Sequence, residues 1–312
     1  MLHEYKKAFV AFSTSEEIRT AGSSGGIGTQ IASFLLGEKI VDAIIGVGFD
    51  AQDPKKPAYR IIRCPEETQY LSGSKYVYMP LRPLLDLAGE TKSGKLAVFS
   101  QPCHVPALLK KLPQTTLIFS IFCGYNITYA ATEYLIKKTG MAKNDIQHIN
   151  YRGGKYPGGF TVTSKSGRQK SFGKEHYELI DLLFLNKKCG ACRSYISEQA
   201  DIALGDAWIK NFPKATLVII NTERGENMVR HMHAKKMIEL YGISRDDIIR
   251  MHGHNLRYKK HGHSLPMKMV IKAFNNPIAR KIAPFRLLGF LSRIRRQLKI
   301  GIDLDMRPVE EV

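Results

Sequence analysis

Short runs of β-branched and other apolar residues alternate with stretches of helical periodicity, and this alternation constrains the fold more than any other feature. Strands that are separated by helices pair into a sheet, which the helices then cover. The pattern therefore predicts an α/β fold, a mixed sheet flanked by helices. The predicted strands are 41–47, 95–100, 116–121 and 215–221, and the predicted helices include 31–36, 106–111 and 128–138.

Charge is distributed unevenly along the chain. Lys and Arg number 47 against 28 Asp and Glu, a formal net charge of +19, and residues 251–300 hold 12 of these basic residues and no acidic one. This shift predicts a domain at 1–225 followed by a basic, mainly helical C-terminal region at 226–312. Such an excess of positive charge favours acidic partners, but no recognition motif accompanies it, which disfavours nucleic acid.

Residues 284–300 predict a basic amphipathic helix, because four aliphatic side chains share one face and three arginines lie off it. Such a helix either covers the domain, the favoured interpretation, or makes peripheral contact with an anionic membrane or an acidic partner. No stretch approaches the roughly 18 apolar residues of a spanning helix, and the N-terminus lacks the apolar core of a signal peptide. We therefore predict a cytoplasmic protein, with peripheral membrane contact as an alternative.

A glycine-rich segment precedes the first predicted helix. Residues 22–28 read Gly-Ser-Ser-Gly-Gly-Ile-Gly, and the apolar stretch 31–36 follows and ends at Gly37. The N–H groups at a helix N-terminus attract anions, and glycine lets a ligand approach the backbone closely. The segment therefore predicts an anion-binding turn.

Four of the five cysteines are candidates for one metal site. Cys189 and Cys192 form a Cys-x-x-Cys pair, whose spacing lets both sulfurs face one metal. Cys103 and Cys123 each follow a predicted strand, and ligands of open α/β sheets collect at the carboxyl ends of strands. Four thiolates would hold one iron–sulfur cluster; the alternative, which the spacing leaves open, is that Cys103 and Cys123 are small buried apolar residues. Cys64 has no partner by this reasoning and is interpreted as structural.

Several other residues keep two interpretations. Asp206 and Trp208 either touch a cofactor or substrate, or cap a turn and fill the core. The segment 151–159, with Arg152 and Lys155, is either a substrate-side loop for an anionic ligand or an ordinary surface hairpin.

Six of the ten histidines form three His-x-His pairs. No carboxylate or cysteine pattern completes a metal site around them, so a solvated basic segment is the favoured interpretation. The pairs are at 231 and 233, 252 and 254, and 261 and 263.

Short motifs follow one another in a specific order over roughly residues 5–225. They are Glu-Ile-Arg at 17–19 leading into 22–26, Gly-Ser-Lys-Tyr-Val at 73–77, Gln-Pro-Cys-His-Val at 101–105, Phe-Cys-Gly at 122–124, Tyr-Arg at 151–152, Cys-Gly-Ala-Cys at 189–192 and Ala-Asp-Ile-Ala-Leu-Gly-Asp-Ala-Trp at 200–208. In these motifs the chain resembles the beta-subunit family of coenzyme F420 hydrogenases and dehydrogenases, which are iron–sulfur flavoproteins, and particularly the members found beside polysaccharide-biosynthesis genes.

This resemblance implies an FAD at the glycine-rich segment and one [4Fe-4S] cluster close to it. Electrons would pass between the cluster and the flavin, and hydride between the flavin and a second substrate. The implied cluster ligands are Cys103, Cys123, Cys189 and Cys192. The implied flavin-binding residues are Ser23, Ser24, Gly25 and Gly26, with Ser74, Lys75 and Tyr76 nearby.

The chain departs from the family in a way that affects its expected partners. Members beside polysaccharide genes usually begin with a cysteine-rich, ferredoxin-like segment, whereas here no cysteine precedes Cys64. The expected function is therefore an oxidoreductase that exchanges electrons with a separate donor such as an acidic ferredoxin. Its substrate would be a small organic molecule or a deazaflavin such as coenzyme F420, in a glycan-biosynthesis setting. The alternative is a non-redox binding or scaffold relative, whose cysteines bind zinc or nothing and whose basic C-terminal region attaches it to a membrane or an acidic partner.

Overall fold

The computed structural model describes residues 2–91, 94–114, 116–173, 180, 183–212, 214–262, 269, 272, 275, 278, 302–310 and 312. Over these residues the predicted α/β fold is confirmed, as an eight-stranded mixed sheet flanked by helices and a second sheet of three strands. Every predicted strand and helix within them is present.

Eleven strands are described. They are β1 (Lys7–Ser13), β2 (Ala43–Phe49), β3 (Pro57–Ile62), β4 (Leu96–Ser100), β5 (Leu117–Ile121), β6 (Ile146–Gly153), β7 (Gly159–Ser164), β8 (Gln169–Gly173), β9 (Ile202–Ala207), β10 (Ala215–Ile220) and β11 (Ile238–Gly242).

The helices described include eight α-helices and two short 3-10 helices. The α-helices are α1 (Glu16–Ala21), α2 (Ile27–Gly37), α3 (Leu81–Glu90), α4 (Val105–Lys111), α5 (Tyr129–Thr139), α6 (Lys187–Ala191), α7 (Glu223–Ala234) and α8 (Arg245–His261), and the 3-10 helices are Pro65–Leu71 and Lys143–Asp145.

The large sheet has the strand order β11-β1-β10-β9-β5-β4-β2-β3. Its neighbours β9, β5, β4 and β2 run parallel, and its other pairs are antiparallel. The sheet is covered on both faces: consecutive residues Ile44 and Ile45 point to opposite sides, and both are fully buried in separate apolar clusters. The carboxyl ends of four parallel strands therefore meet at one edge of a rigid, buried sheet.

Helices cover the two faces of this sheet through apolar side chains at helical spacing. On one face, Ile31 and Leu35 of α2 lie one turn apart and pack with Phe119 of β5. On the other face, Leu84 of α3 and Leu108 of α4 belong to the cluster that contains Ile45. This burial orients α2 so that its N-terminus lies beside the carboxyl ends of the parallel strands.

The second sheet has the order β6-β7-β8 and is antiparallel. It shares a core with α5, in which Leu135, Tyr151 and Phe160 are almost completely buried. The buried residues of this core are distinct from those of the large sheet. Phe49 at the end of β2 packs against the core, with its ring centroid 5.8 Å from that of His148 and 6.4 Å from that of Tyr151.

Residues after 225 contribute a strand to the large sheet and a helix that covers it. Strand β11 pairs with β1 at the sheet edge, and Ile248 and Leu256 of α8 pack with Val10 of β1. Further along, Ile302 pairs with Ile209, and the N–H of Val309 donates to the carbonyl of Leu240. The division at 225/226 stays a prediction, and the amphipathic helix predicted at 284–300 lies outside the described residues.

None of the helices in the described part of the chain combines the length and the apolar character needed to cross a membrane.

Candidate functional site

A cavity of about 430 Å³ lies at the carboxyl ends of the parallel strands. Residues from the ends of β2, β4, β5 and β9 line it, together with the glycine-rich turn, the segment 73–76, the end of β6 and one face of α8. Its size is within the range of small-molecule and cofactor sites, and its place is where open α/β sheets bind ligands. The cavity is therefore the candidate functional site.

The glycine-rich turn forms one wall. The N–H of Gly25 donates to the Thr216 hydroxyl over 2.9 Å, and the Gly25 carbonyl accepts from the Ser13 N–H over 2.7 Å. A Cβ on Gly25 would lie 2.4 Å from the carbonyl oxygen of Ala11, so a side chain has no room there. Gly26 has a φ of 78°, in the left-handed region, and as N-cap of α2 it leaves the first N–H groups of that helix without a side-chain cap. Residues 26–29 line the cavity, so the N-terminus of α2 lies at this wall. Anion binding by its N–H groups stays a prediction.

A second wall is formed by residues 73–76. The N–H of Ser74 donates to the Ser23 hydroxyl over 2.8 Å, which joins this wall to the glycine turn. The ammonium of Lys75 donates to the carbonyls of Leu71 over 3.1 Å and Ser72 over 2.6 Å. Burial without a carboxylate partner lowers the pKa of Lys75 to about 7. The cavity thus contains a lysine whose charge changes near neutral pH.

Six of the seven residues predicted to bind flavin line this one cavity: Ser23, Ser24, Gly26, Ser74, Lys75 and Tyr76. The seventh, Gly25, lies behind the surface of the cavity, packed against the backbone of β1 and β10. Their role in flavin binding stays a prediction.

The four cysteines predicted as cluster ligands come from three parts of the fold. Cys123 follows β5 and lines the cavity, and its N–H donates to the carbonyl of Tyr195 over 3.0 Å. Cys103 lies in the turn between β4 and α4 and is exposed. Cys189 lies in α6 and is 8% exposed, and Cys192 caps the end of that helix. Cys64 precedes the 3-10 helix Pro65–Leu71 as its N-cap.

The thiols of these four cysteines interact with one another. A hydrogen bond between the Cys103 and Cys192 thiols raises the pKa of Cys103 and lowers that of Cys192, and the charges of Cys123 and Cys189 also raise the pKa of Cys103. Burial raises the pKa of Cys123 to about 12. Within the described ranges, no three histidine, cysteine or acidic side chains already stand in the arrangement of a metal site. The fold brings the four thiols to one place without closing them into coordination geometry.

A charged and aromatic cluster lies at another end of the cavity. Nη1 of Arg152, at the end of β6, donates to both carboxylate oxygens of Asp206 in β9 over 2.7 Å, and its Nε donates to the carbonyl of Pro157 over 2.9 Å. The rings of Tyr156 and Trp208 lie 5.7 and 5.6 Å from the guanidinium carbon. Nη2 of Arg152 is buried and has no hydrogen-bond partner. Asp206 and Trp208 therefore line the cavity, and Arg152 offers a donor to a ligand there.

His252 differs from the solvated histidine expected from sequence. It is 1% exposed and lines the cavity, and its Nδ1 lies 2.8 Å from the hydroxyl of Tyr195. Burial lowers the pKa of His252 to about 4, so it is neutral at pH 7. A signal was present in the sequence: Ile248, His252 and Leu256 are spaced by four, which places this histidine on the apolar face of α8.

Lys259 is the second residue of α8 that sequence analysis missed. It is 3% exposed, and its ammonium donates to the carbonyl of Cys192 over 3.3 Å. Its charge opposes the rise that burial causes in the pKa of Cys123 and Cys189. Lys259 follows Leu256 at helical spacing and so falls on the same face of α8, but a lysine within a basic segment is expected to be exposed. Its burial follows from where α8 docks.

Comparison with known proteins identifies relatives of this site and fold. Residues 8–86 match the family model of the coenzyme F420 hydrogenase/dehydrogenase beta subunit N-terminus, and residues 93–246 match that of its C terminus.

Individual relatives span most of the chain. An uncharacterized protein of Methanocaldococcus jannaschii is 26% identical over 238 residues, covering 73% of this chain and 85% of that protein. The coenzyme F420 hydrogenase subunit beta of Methanothermobacter thermautotrophicus is 23% identical over 251 residues, covering 74% of this chain and 82% of that subunit.

A solved structure shares the fold. A chain of the F420-reducing [NiFe] hydrogenase complex from Methanosarcina barkeri superimposes with a TM-score of 0.66 at 20% identity, covering 83% of this chain and 91% of that one. The two family models together span both walls of the cavity and all four clustered cysteines. The chain belongs to the coenzyme F420 hydrogenase/dehydrogenase beta-subunit family.

Proposed function

We propose that this protein is an oxidoreductase that holds an FAD in the cavity and one [4Fe-4S] cluster on Cys103, Cys123, Cys189 and Cys192. One observation carries the proposal: Cys123 lines the same cavity as the glycine turn and Lys75, and its thiol interacts with those of Cys189 and Cys192. A redox cofactor in the cavity and a cluster on the thiols would then be neighbours. Family membership supports the same assignment.

The thiols fit a cluster by their number, their chemistry and their surroundings. Four thiolates are the ligand set of a [4Fe-4S] cluster, and three of the four cysteines are at least partly buried. Burial alone keeps the Cys123 thiol protonated, so its thiolate needs a positive partner, which a metal centre supplies.

The cavity fits a flavin by its donors. The N–H groups of α2 and the ammonium of Lys75 suit the charge of a pyrophosphate, and the free Nη2 of Arg152 suits a carbonyl oxygen. When bound, the flavin supplies the exchange between two-electron hydride transfer and single-electron transfer.

The protein's own residues would bind the flavin, orient it and set the charge around it. Asp206 holds the Arg152 guanidinium in place by two hydrogen bonds, so that its remaining donor is fixed in direction. The buried His252 is neutral at pH 7 and adds no charge beside the Arg152–Asp206 ion pair. The chain would thus present a positive end to the phosphates, and an aromatic end with one internally compensated ion pair to a planar ring.

The partners in this proposal are a separate electron donor such as ferredoxin and a small organic substrate or a deazaflavin such as coenzyme F420. The relative from Methanothermobacter thermautotrophicus is named for F420, which supports the deazaflavin. The net charge of +19 supports an acidic donor. A cytoplasmic location and a glycan-biosynthesis setting also belong to the proposal. Identification of the substrate would test the glycan-biosynthesis setting.

The test is iron and flavin quantitation, with an absorbance spectrum, on protein purified without oxygen. We expect about four irons per chain and bound FAD. A variant carrying Cys189→Ser and Cys192→Ser should lose the iron and keep its fold, as judged by circular dichroism. The matched control is Cys64→Ser, which removes the fifth cysteine and should keep the iron.

Zinc or no metal in the wild-type protein, together with no flavin, would overturn the proposal and favour a binding or scaffold protein. Equal iron in the double variant and the wild type would reject the cysteine assignment alone.

A further inference from the structure

Lys259 is a buried cation that has no role in the function proposed above. It lies in the last turn of α8 and is 3% exposed, whereas its neighbour Lys260 is exposed. The family match ends at residue 246, before this lysine. Lysine is almost never fully buried unless a partner compensates its charge.

The partners that the structure gives Lys259 do not compensate a full charge. Its ammonium donates to the carbonyl of Cys192 over 3.3 Å and lies 5.4 Å from the ring centroid of Tyr258. Over the part of the chain that is described, the ion pairs all involve other cations. A buried ammonium without a counter-ion is costly, so an anionic group is expected beside it.

The groups beside it are the cysteines. Cys192 accepts its hydrogen bond through the backbone, and the ammonium acts electrostatically on the thiols of Cys123, Cys189 and Cys192. Four thiolates around an iron–sulfur core form an anionic group at this place. The ammonium of Lys259 needs a negative group beside it, and the cluster with its four thiolates would be that group.

We propose that Lys259 is a positioning residue that holds a fixed positive charge against the iron–sulfur cluster and raises its reduction potential. The inference rests on the proposed function, because it requires the cluster. Reduction adds one electron to the cluster with no change in its protein bonds, so the reduced form is more negative. A nearby buried cation stabilises the reduced form more than the oxidised form, and the low dielectric of the interior strengthens the effect.

The experiment measures the midpoint potential of the cluster by a dithionite titration followed by electron paramagnetic resonance. Lys259→Met removes the charge and keeps the length of the side chain, Lys259→Gln removes it and keeps a polar end, and Lys259→Arg keeps the charge. Lys260→Met is the matched control, because it removes the same charge one residue away on the exposed face of the same helix.

We expect Lys259→Met and Lys259→Gln to lower the equilibrium constant for reduction at least tenfold, a shift of about 59 mV to more negative potential for one electron. Lys259→Arg and Lys260→Met should stay close to the wild type. If both neutral variants lose iron while the arginine variant keeps it, the charge is required for the cluster to assemble, which also supports the proposal.

Two results would overturn the inference. Equal potentials in all iron-loaded variants would show that the charge has no effect, and loss of iron in the arginine variant as well would show a packing role only. Both leave the proposed function intact. Absence of iron from the wild-type protein would instead remove the proposed function, and the inference with it.

Discussion

Three basic residues of the described part of the chain line the cavity, and each is held in a different way. Lys75 donates to two backbone carbonyls, Arg152 is paired with Asp206, and His252 is bonded to Tyr195. Arginine stays charged at any ordinary pH, whereas burial moves the pKa of the lysine and of the histidine downward. The charge of the cavity therefore depends on pH through two residues, in two separate ranges.

The first prediction concerns His252 and acid stability. Its pKa is about 4 in the folded protein against 6.5 for an ordinary histidine. Between these values the unfolded chain binds a proton that the folded protein does not, so stability is full above the upper value and falls as pH drops toward the lower one. The loss in unfolding free energy is about 3 kcal/mol in total.

Urea denaturation at several pH values measures this loss. His252→Gln should flatten the fall between about pH 6.5 and about pH 4, and His254→Gln, on the exposed side of the same helix, should leave it unchanged. The same slope in His252→Gln as in the wild type would contradict the assignment.

The second prediction concerns Lys75 and flavin binding. Its pKa is about 7 in the cavity without flavin, so above that pH the Lys75 side chain is mostly the neutral amine. Because the phosphates of FAD favour the protonated form, binding above about pH 7 takes up a proton, and the affinity should fall by up to about tenfold per pH unit.

Titration of flavin fluorescence on flavin-free protein measures the affinity. Lys75→Arg keeps its charge and should make the affinity nearly independent of pH between about pH 6 and about pH 9. The exposed control Lys137→Arg should behave like the wild type. A flat profile for the wild-type protein would reject the role of Lys75.

At the scale of elements, the turn between α1 and α2 determines the geometry of the cavity wall. Gly25 is placed by hydrogen bonds to β1 and β10, and Gly26 reverses the chain at a positive φ to start α2. Because α2 is buried through Ile31 and Leu35, the position of its N-terminus follows from packing at its other end. Turn and helix therefore act as one unit.

The third prediction compares two glycines of this unit. Gly25→Ala would place a Cβ 2.4 Å from the Ala11 carbonyl oxygen and 2.9 Å from the Thr216 nitrogen, both backbone atoms. We expect a loss of about 1–3 kcal/mol in unfolding free energy and a loss of flavin binding.

The matched control is Gly28→Ala in the first turn of α2, where the nearest atom to the new Cβ is 3.7 Å away. Alanine favours a helix over glycine, so the control should be at least as stable as the wild type. Thermal unfolding measures both variants, and equal midpoints would reject the tight packing inferred for Gly25.

At the scale of the whole molecule, one ion pair links the two sheets at the cavity. Arg152 comes from the last residues of β6 and Asp206 from β9, and the arginine side chain is 3% exposed. The two sheets have separate buried apolar clusters, and Phe49 of β2 packs against the cluster of the small sheet. The pair therefore couples the position of the small sheet to the site.

The fourth prediction is a double-mutant cycle on this pair. Arg152→Met leaves the Asp206 carboxylate without its partner and should cost about 3–5 kcal/mol. Asp206→Asn should cost less, and the double variant should be clearly more stable than the sum of the two losses predicts. Urea denaturation gives the three free energies, and simple additivity would show that the two side chains do not interact.

The local patterns of the sequence were sufficient for the fold class and for part of the site. Alternating runs such as 95–100 and 116–121 correspond to β4 and β5, because the periodicity of a strand or helix is a property of neighbouring residues. The same logic placed Cys103 and Cys123 after these strands. Parallel neighbours end at one edge, so the two cysteines lie near each other.

The sequence by itself determined that this chain forms an α/β sheet, with a glycine turn before a helix and cysteines at the ends of strands. Only the tertiary structure decided that α8 completes the site. Lys259 meets Cys192 across 67 positions of sequence, and His252 meets Tyr195 across 57. Contacts of this separation depend on strand order and on where a helix docks, which local periodicity does not encode. A basic segment that reads as solvated surface therefore provides the buried charge beside the cysteines and the neutral histidine of the cavity.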